Sequence, residues 1–225
     1  INNVRLWDSR LLIQTYRQLQ EIRSYYEFYN VDVDRYTIGG DYRQVMLSAR
    51  ELATELPEQS DSWVNRHLQF THGYGLTMNY VSQEGQEGVP ELLVKDLPPT
   101  SVEGLEVDQA AIYYGEEMPH YKIVNTGVQE LDYPQGDQNV YNRYQGSGGV
   151  QLDSYWKKLL YAFTQGDINI LLSDYPTDES RIQYWVPIRE RMQRVAPFLE
   201  ADSDPYLVLN DGRLYWIIDA YTTSN

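Results

Sequence analysis

Apolar positions recur along this chain with two different periods. Across residues 8–26, Leu12, Tyr16, Leu19 and Tyr26 fall on one face, with Ile22 and Arg23 beside it. That three-to-four spacing predicts a helix, and Asp8 or Ser9 can cap its first turn. From residue 31 the period becomes two: Val31, Val33 and Arg35 alternate with Asp32, Asp34 and Tyr36. Gly39-Gly40 can supply the positive φ of a hairpin turn, and "DYRQVML" reads as the returning strand. A short helix is expected from Ser60 or Asp61, carrying Trp63, Val64 and Leu68, followed by a strand in "YGLTMNYVS".

The second half is less regular. Residues 83–109 combine glycine, proline and acid around "LLVK", which reads as a long loop or a lobe boundary. "AIYYGE" and "YKIVNTGVQELDY" read as strands, the second folding back near Thr126-Gly127. "LDSYWKKLLYAFTQG" predicts an amphipathic helix with Trp156, Leu159, Leu160 and Phe163 inward and Gly166 as its stop. Residues 178–199 read as mostly helical, broken at Pro187. Asn210-Asp211-Gly212, between two alternating apolar runs, is the clearest hairpin signal. No internal repeat is visible. Hairpins and helices alternate without a βαβ rhythm, so the expected class is α+β: antiparallel hairpins interspersed with amphipathic helices. The domain expected over 1–225 divides into lobes 1–82 and 110–225, joined by segment 83–109.

Composition narrows the function classes. The net charge is -15, with 33 acidic against 18 basic residues, so the surface repels nucleic acid and anionic membranes at long range. The absence of cysteine excludes disulfides, thiol catalysis and thiolate metal sites. No run of about 18 apolar residues is present, so no membrane insertion by this segment is expected. There are 21 tyrosines against 4 phenylalanines, which points to half-buried strand faces and polar clefts. Clefts of that kind also occur in sugar-binding and peptide-binding surfaces.

The candidate chemistry is sparse. His67 and His72 in "NRHLQFTHGYG" are five apart, a spacing that fits neither a helical pair at three or four nor a strand pair at two. The stretch reads as a helix-to-strand junction, with Gly73 and Gly75 giving the backbone its freedom. Asp32 and Asp34 share a strand face about 7 Å apart, a separation that also suits a glycosidase pair or a calcium site. Gly146 to Gly149 lack the lysine of a phosphate loop and read as a linker turn. Arg181, Arg189, Arg191 and Arg194 form the one basic cluster, expected to pair with Asp178, Glu179 and Glu190. No catalytic residue, metal ligand or cofactor is assigned, and the ligand-binding residues are left open.

"DVDRYTIGGDYRQVMLSARELA", "WVNRHLQFTHGYG", "LLVKDLPP", "AIYYGE" and "DPYLVLNDGRLYWIIDAYTTS" closely resemble uncharacterised protein family 0182, in order and through nearly the whole chain. The resemblance implies a segment of the extracytoplasmic region of a large bacterial multi-pass membrane protein. Its expected partners are the membrane-spanning part of the same polypeptide, itself, or an envelope protein. The family carries no catalytic residues to transfer. Two readings follow: a non-catalytic recognition or assembly module, or an enzyme acting on an envelope polymer through paired carboxylates in a tyrosine-lined cleft. A cleft with two facing carboxylates, one in an apolar setting, favours the enzyme; a tyrosine-rich surface without them favours the module.

Overall fold

A computed structural model describes residues 3–85, 88–118, 120–136 and 138–222. Gln86 and Glu87 of the expected loop, and the last three residues of the "TTSN" end, lie outside the described residues. The architecture is α+β. A five-stranded antiparallel sheet runs Asp32–Ile38, Asp41–Ala49, Leu76–Glu84, Pro90–Lys95 and Thr100–Ser101 in that spatial order. Its first turn is the expected one, with Gly39 at φ 58° and Gly40 at φ 87°. Both faces are covered, which is why Val45 to Ala49 are all buried. Val45 and Leu47 face the largest core, with Met78, Phe70 and Leu207, while Met46 faces Leu12, Tyr16 and Phe28. The segment read as a loop therefore supplies two strands of this sheet.

The helix α1 spans Ser9–Gln20, and Asp8 caps it by accepting from the Arg10 backbone N–H at 2.9 Å. It stops well short of residue 26. Ile22 sits at φ 65°, and Tyr26 leaves the helix for a short strand, Tyr26–Glu27, paired with Glu51–Leu52. The inward stripe is Leu12, Tyr16 and Gln20, whereas Leu19 is exposed. A polar residue takes the last inward position because the buried Arg50 guanidinium donates to both its backbone carbonyl and its side-chain oxygen.

A second sheet has three strands, with Arg181–Gln183 between Lys122–Val124 and Val150–Gln151. The helices α2 (Tyr155–Gln165) and α3 (Asn169–Leu172) accompany it, and Leu68, Ile123, Leu152, Ala162, Ile170 and Ile182 form its core. Lys122–Val124 does not pair with the strand Glu130–Gln135, which instead pairs with Gln138–Asn142. The turn at Thr126-Gly127 is drawn elsewhere: the Gly127 N–H donates to the Tyr175 carbonyl at 2.9 Å. Gly166 ends α2 at φ 66°, as its position implies. The face of α2 is reversed, however: Trp156 is 75% exposed and Phe163 84%, while Lys158, Tyr161 and Ala162 turn inward. Residues 178–199 contain a strand and the helix α4 (Ile188–Val195), which Pro187 precedes.

The C-terminal hairpin pairs Tyr206–Asn210 with Arg213–Ile217. Asp211 at φ 47° and Gly212 at φ 71° make a two-residue turn with both central residues left-handed. Leu207 and Leu209 enter the largest core, and the Leu207 N–H donates to Asp32 Oδ2 at 2.8 Å. A side chain at Gly212 would also meet the carboxylate of Asp108. Gly212→Val is expected to destabilise the chain by about 1 kcal/mol or more, read as a lower midpoint in urea unfolding; an unchanged midpoint would refute this account of the turn.

Candidate functional site

The stretch "NRHLQFTHGYG" is the helix-to-strand junction that its spacing implies. A π turn over Asn65–Gln69 ends at Phe70, and the strand Gly73–Tyr74 follows. The two histidines diverge. The His67 ring stacks on Tyr121 with centroids 4.1 Å apart, and its Nδ1–H donates to the Tyr121 carbonyl at 2.8 Å. Burial drives its pKa down to about 4, and the positive charge of Lys122 and His120 adds to that. His120, remote in sequence, brings its ring centroid to 5.8 Å from that of His67. Gly73 packs against the backbone of Arg50 and Glu51, where a Cβ would lie 2.8 Å from Glu51 Cα.

His72 points the other way, into a fully buried polar row. Its Nε2 lies 2.9 Å from Asp132 Oδ1, and its Nδ1 lies 2.9 Å from Thr71 Oγ1. Thr71 has one hydroxyl proton, which goes to Glu130 Oε2 at 2.9 Å. Its oxygen is then free to accept from the His72 ring. Glu130 is saturated. It also accepts from the Tyr113 hydroxyl at 3.2 Å, the Asn125 N–H at 3.0 Å and the Tyr144 N–H at 3.2 Å. Asp132 is not. Its Oδ1 takes the imidazole, while its Oδ2 has no hydrogen bond to another described residue.

Asp132 reaches a cavity of about 400 Å³ lined by Tyr74, Tyr113, Tyr144, Asn142, Gln109 and Asp108, among others. The tyrosine rings brace one another and the network. Tyr113 lies 4.7 Å from both the His72 and Tyr144 ring centroids, and Tyr74 lies 5.0 Å from Tyr133. Burial first, and Glu130 second, push the Tyr113 phenol well above its ordinary range. The cavity thus presents aromatic surface, side-chain amides and one carboxylate oriented from behind. Sequence spacing had no means of finding Asp132: His72 meets it across sixty residues, through the pairing of Gly73–Tyr74 and the packing of Glu130–Gln135.

The other sequence candidates go elsewhere. Asp32 and Asp34 share a face as expected, but they do not line the tyrosine cavity. Asp32 instead joins the buried Glu51 and the half-buried Glu116 in an acidic group, with the exposed Asp204 beside it. Burial is the main cause that raises Asp32 to about 7, with Asp204 and Asp34 adding repulsion. Burial likewise raises Glu51 to about 7 and Glu116 to about 8, the latter with help from Glu51 and Asp32. The glycines at 146–149 form a loop whose carbonyls are gripped by Arg181, at 2.8 Å from Gly148 O and 2.7 Å from Ser147 O. Arg191 and Arg194 stand over the rings of Tyr114 and Trp185, and among the described residues no ion pair joins this cluster to Asp178, Glu179 or Glu190. No helix among the described residues is long and apolar enough to cross a membrane.

The model of an uncharacterised protein family (UPF0182) matches residues 1–225. A UPF0182 protein of Salinibacter ruber is 60% identical over the whole chain, which covers 24% of that protein. Those of Sulfurovum sp. and Trichodesmium erythraeum are 54% and 50% identical over the whole chain, which covers 25% of each. The chain thus spans about a quarter of the length of the curated relatives it matches. No solved structure matches it.

Two outcomes follow from the site. Gly73→Ala drives a methyl group into backbone that cannot retreat, and His72→Phe leaves Asp132 and the Thr71 hydroxyl without their imidazole; each is expected to cost about 3 kcal/mol or more. A urea midpoint near that of the parent chain in either variant would contradict the geometry. Stability should also fall as pH rises. Asp32, Glu51 and Glu116 have folded pKa values above their unfolded ones, so their contribution is complete below about pH 4 and is lost through about pH 8. His67 and His120, held below their ordinary value, act oppositely up to about pH 6.5, and Lys122, depressed to about 7, acts oppositely above that, but between pH 5 and pH 8 each does so over a shorter interval than the three carboxyls. The melting temperature is therefore expected to be higher near pH 5 than near pH 8, with a smaller difference in Glu51→Gln; the reverse order would refute the assignment.

Proposed function

Because the chain belongs to the uncharacterised family UPF0182, we propose that it is the extracytoplasmic recognition domain of a membrane-anchored protein, seating a neutral polyhydroxylated ligand in the tyrosine cavity. The observation that carries this reading is Asp132. Its Oδ1 is fixed by the His72 ring, its Oδ2 has no hydrogen bond to another described residue, and the residue lines the cavity. A carboxylate held in this way accepts strongly from hydroxyl groups. Tyr74, Tyr113 and Tyr144 offer flat apolar surface, and Asn142 and Gln109 offer both donors and acceptors. The extracytoplasmic side is supported by the family resemblance and is open to test by reporter fusions on either side of this segment.

A second reading, hydrolysis of an envelope polymer, has one observation in its favour: Asp108 lines the same cavity as Asp132. Against it, the carboxyls that burial pushes up to about 7 or 8, the range suited to a general acid, belong to the Asp32, Glu51 and Glu116 group. Calorimetric titration with neutral oligosaccharides separates the two. Saturable binding without product is expected. Asp132→Asn should weaken it about tenfold or more, the worth of a charge-assisted hydrogen bond, and the exposed Asn142→Ala should weaken it less while leaving the melting temperature unchanged. Release of shortened sugars, abolished in both Asp108→Asn and Asp132→Asn, would overturn the recognition reading in favour of the enzyme. No binding to any neutral saccharide would overturn both.

A further inference from the structure

The chain carries only four lysines, and one of them is inside the protein. Lys122 is 3% exposed, yet no carboxylate makes an ion pair with it among the described residues. Its ammonium group has three protons, and its one described hydrogen bond sends a proton to the Arg66 carbonyl at 2.7 Å. A buried cation without a counter-charge is costly. This one also lines a second cavity, of about 420 Å³, together with Phe70.

The walls of that cavity are unusual for so acidic a protein. Arg66 and His120 stand at its rim, both exposed, and Lys122 lies at its floor. Asp61 also lines it, but that carboxylate is taken by the guanidinium of Arg66, which meets it through two nitrogens. Glu55 is exposed at the edge. Residues 52–56 line the remaining side. A second observation lies directly across the strand ladder from Lys122, on the same sheet face. Gln183 is fully buried, and neither its Nε2 nor its Oε1 has a hydrogen-bond partner. The lysine and its cross-strand neighbour therefore both carry polar hydrogen-bonding capacity that the described residues do not consume.

We propose that this cavity binds the phosphate-type tetrahedral oxyanion of a small phosphorylated molecule, with Lys122 as its counter-ion and Arg66 and His120 closing over it. An oxyanion with several acceptors matches an ammonium, a guanidinium and an imidazole converging from different directions. The volume exceeds what a bare ion fills and lies in the range of small-molecule sites, so an organic group occupies the rest, against Phe70 and Leu56. Burial also depresses Lys122 to about 7, so the floor of the cavity loses its charge above neutral pH. The other groups that face it, Arg66, Asp61, His67, His120 and Glu55, leave it as the one buried positive charge there.

Inorganic phosphate, glycerol phosphate, sulfate and acetate, each titrated calorimetrically into the 225-residue chain at fixed ionic strength, test this. Phosphate and sulfate should bind, glycerol phosphate more tightly than phosphate, and acetate not measurably. Sulfate does not titrate in this range, so its affinity should fall between about pH 6 and pH 9 as Lys122 loses its proton. Lys122→Met should lose about ten- to a hundredfold in affinity, the worth of one charge-assisted hydrogen bond, while melting no lower than the parent chain in the absence of ligand, because a buried unpaired charge has been removed. Asn142→Ala, in the other cavity, should bind phosphate normally. Equal binding of acetate, undiminished binding in Lys122→Met, or no gain from the glycerol ester would overturn the proposal.

Discussion

Arg50 is the largest side chain wholly removed from solvent, and the first half of the molecule is organised around it. Among the described residues its guanidinium meets no carboxylate directly. It donates instead to the backbone carbonyl of Gln20 at 2.9 Å, the Gln20 side chain at 3.3 Å and the Tyr74 carbonyl at 3.0 Å. Its own backbone pairs with Gly75 and Tyr74. One residue thereby fixes the end of α1, the start of the strand after His72, and the edge of the first sheet. Burial lowers its pKa to about 10, which still leaves it charged at neutral pH. Removing such a donor would strand several buried acceptors at about 1–3 kcal/mol each.

The constraint carries through to the tyrosine cavity. Because Arg50 ties down Tyr74, Gly73 lies against the backbone of residues 50 and 51 with no space for a side chain. His72 is then directed toward Asp132, and Thr71 toward Glu130. The row is continuous from an arginine whose described hydrogen-bond acceptors are neutral to an aspartate that lines a cavity. Its members are buried almost throughout, which makes their orientation a property of the fold and not of solvent.

Charge is distributed inside this protein as unevenly as on its surface. Carboxyls gather at Asp32, Glu51 and Glu116, where backbone N–H groups of Leu207, Glu116 and Glu117 are the main polar partners. Positive charge gathers separately at Lys122 and Arg66, beside the His120 imidazole. The two groups do not neutralise each other, and each therefore shifts its own proton affinities. A chain selected for stability alone would pair such charges or replace them with apolar side chains. Their separation leaves an acidic cluster and a basic cavity side by side in the same chain.

Periodicity and turn chemistry were enough to reveal the Gly39-Gly40 hairpin, the Asn210-Asp211-Gly212 hairpin, the Asp8 cap and the Gly166 stop. Each depends on the φ or hydrogen-bonding preference of residues adjacent in sequence, so a single sequence carries it in full. The ordered motifs likewise sufficed for the family. The partners of Lys122–Val124 and Glu130–Gln135 were not legible, because strand pairing is a choice among distant segments of similar pattern. The face of α2 was misread for a related reason: Trp156 and Phe163 are the most apolar residues of the helix, but the surface that α2 meets accepts Tyr161 and Ala162. His67 and His72 were correctly kept off a shared face by their spacing. What each would meet, Tyr121 for one and Asp132 for the other, was decided only when residues more than fifty positions away were folded against them, for a carboxylate is oriented by proximity in space and sequence records only order.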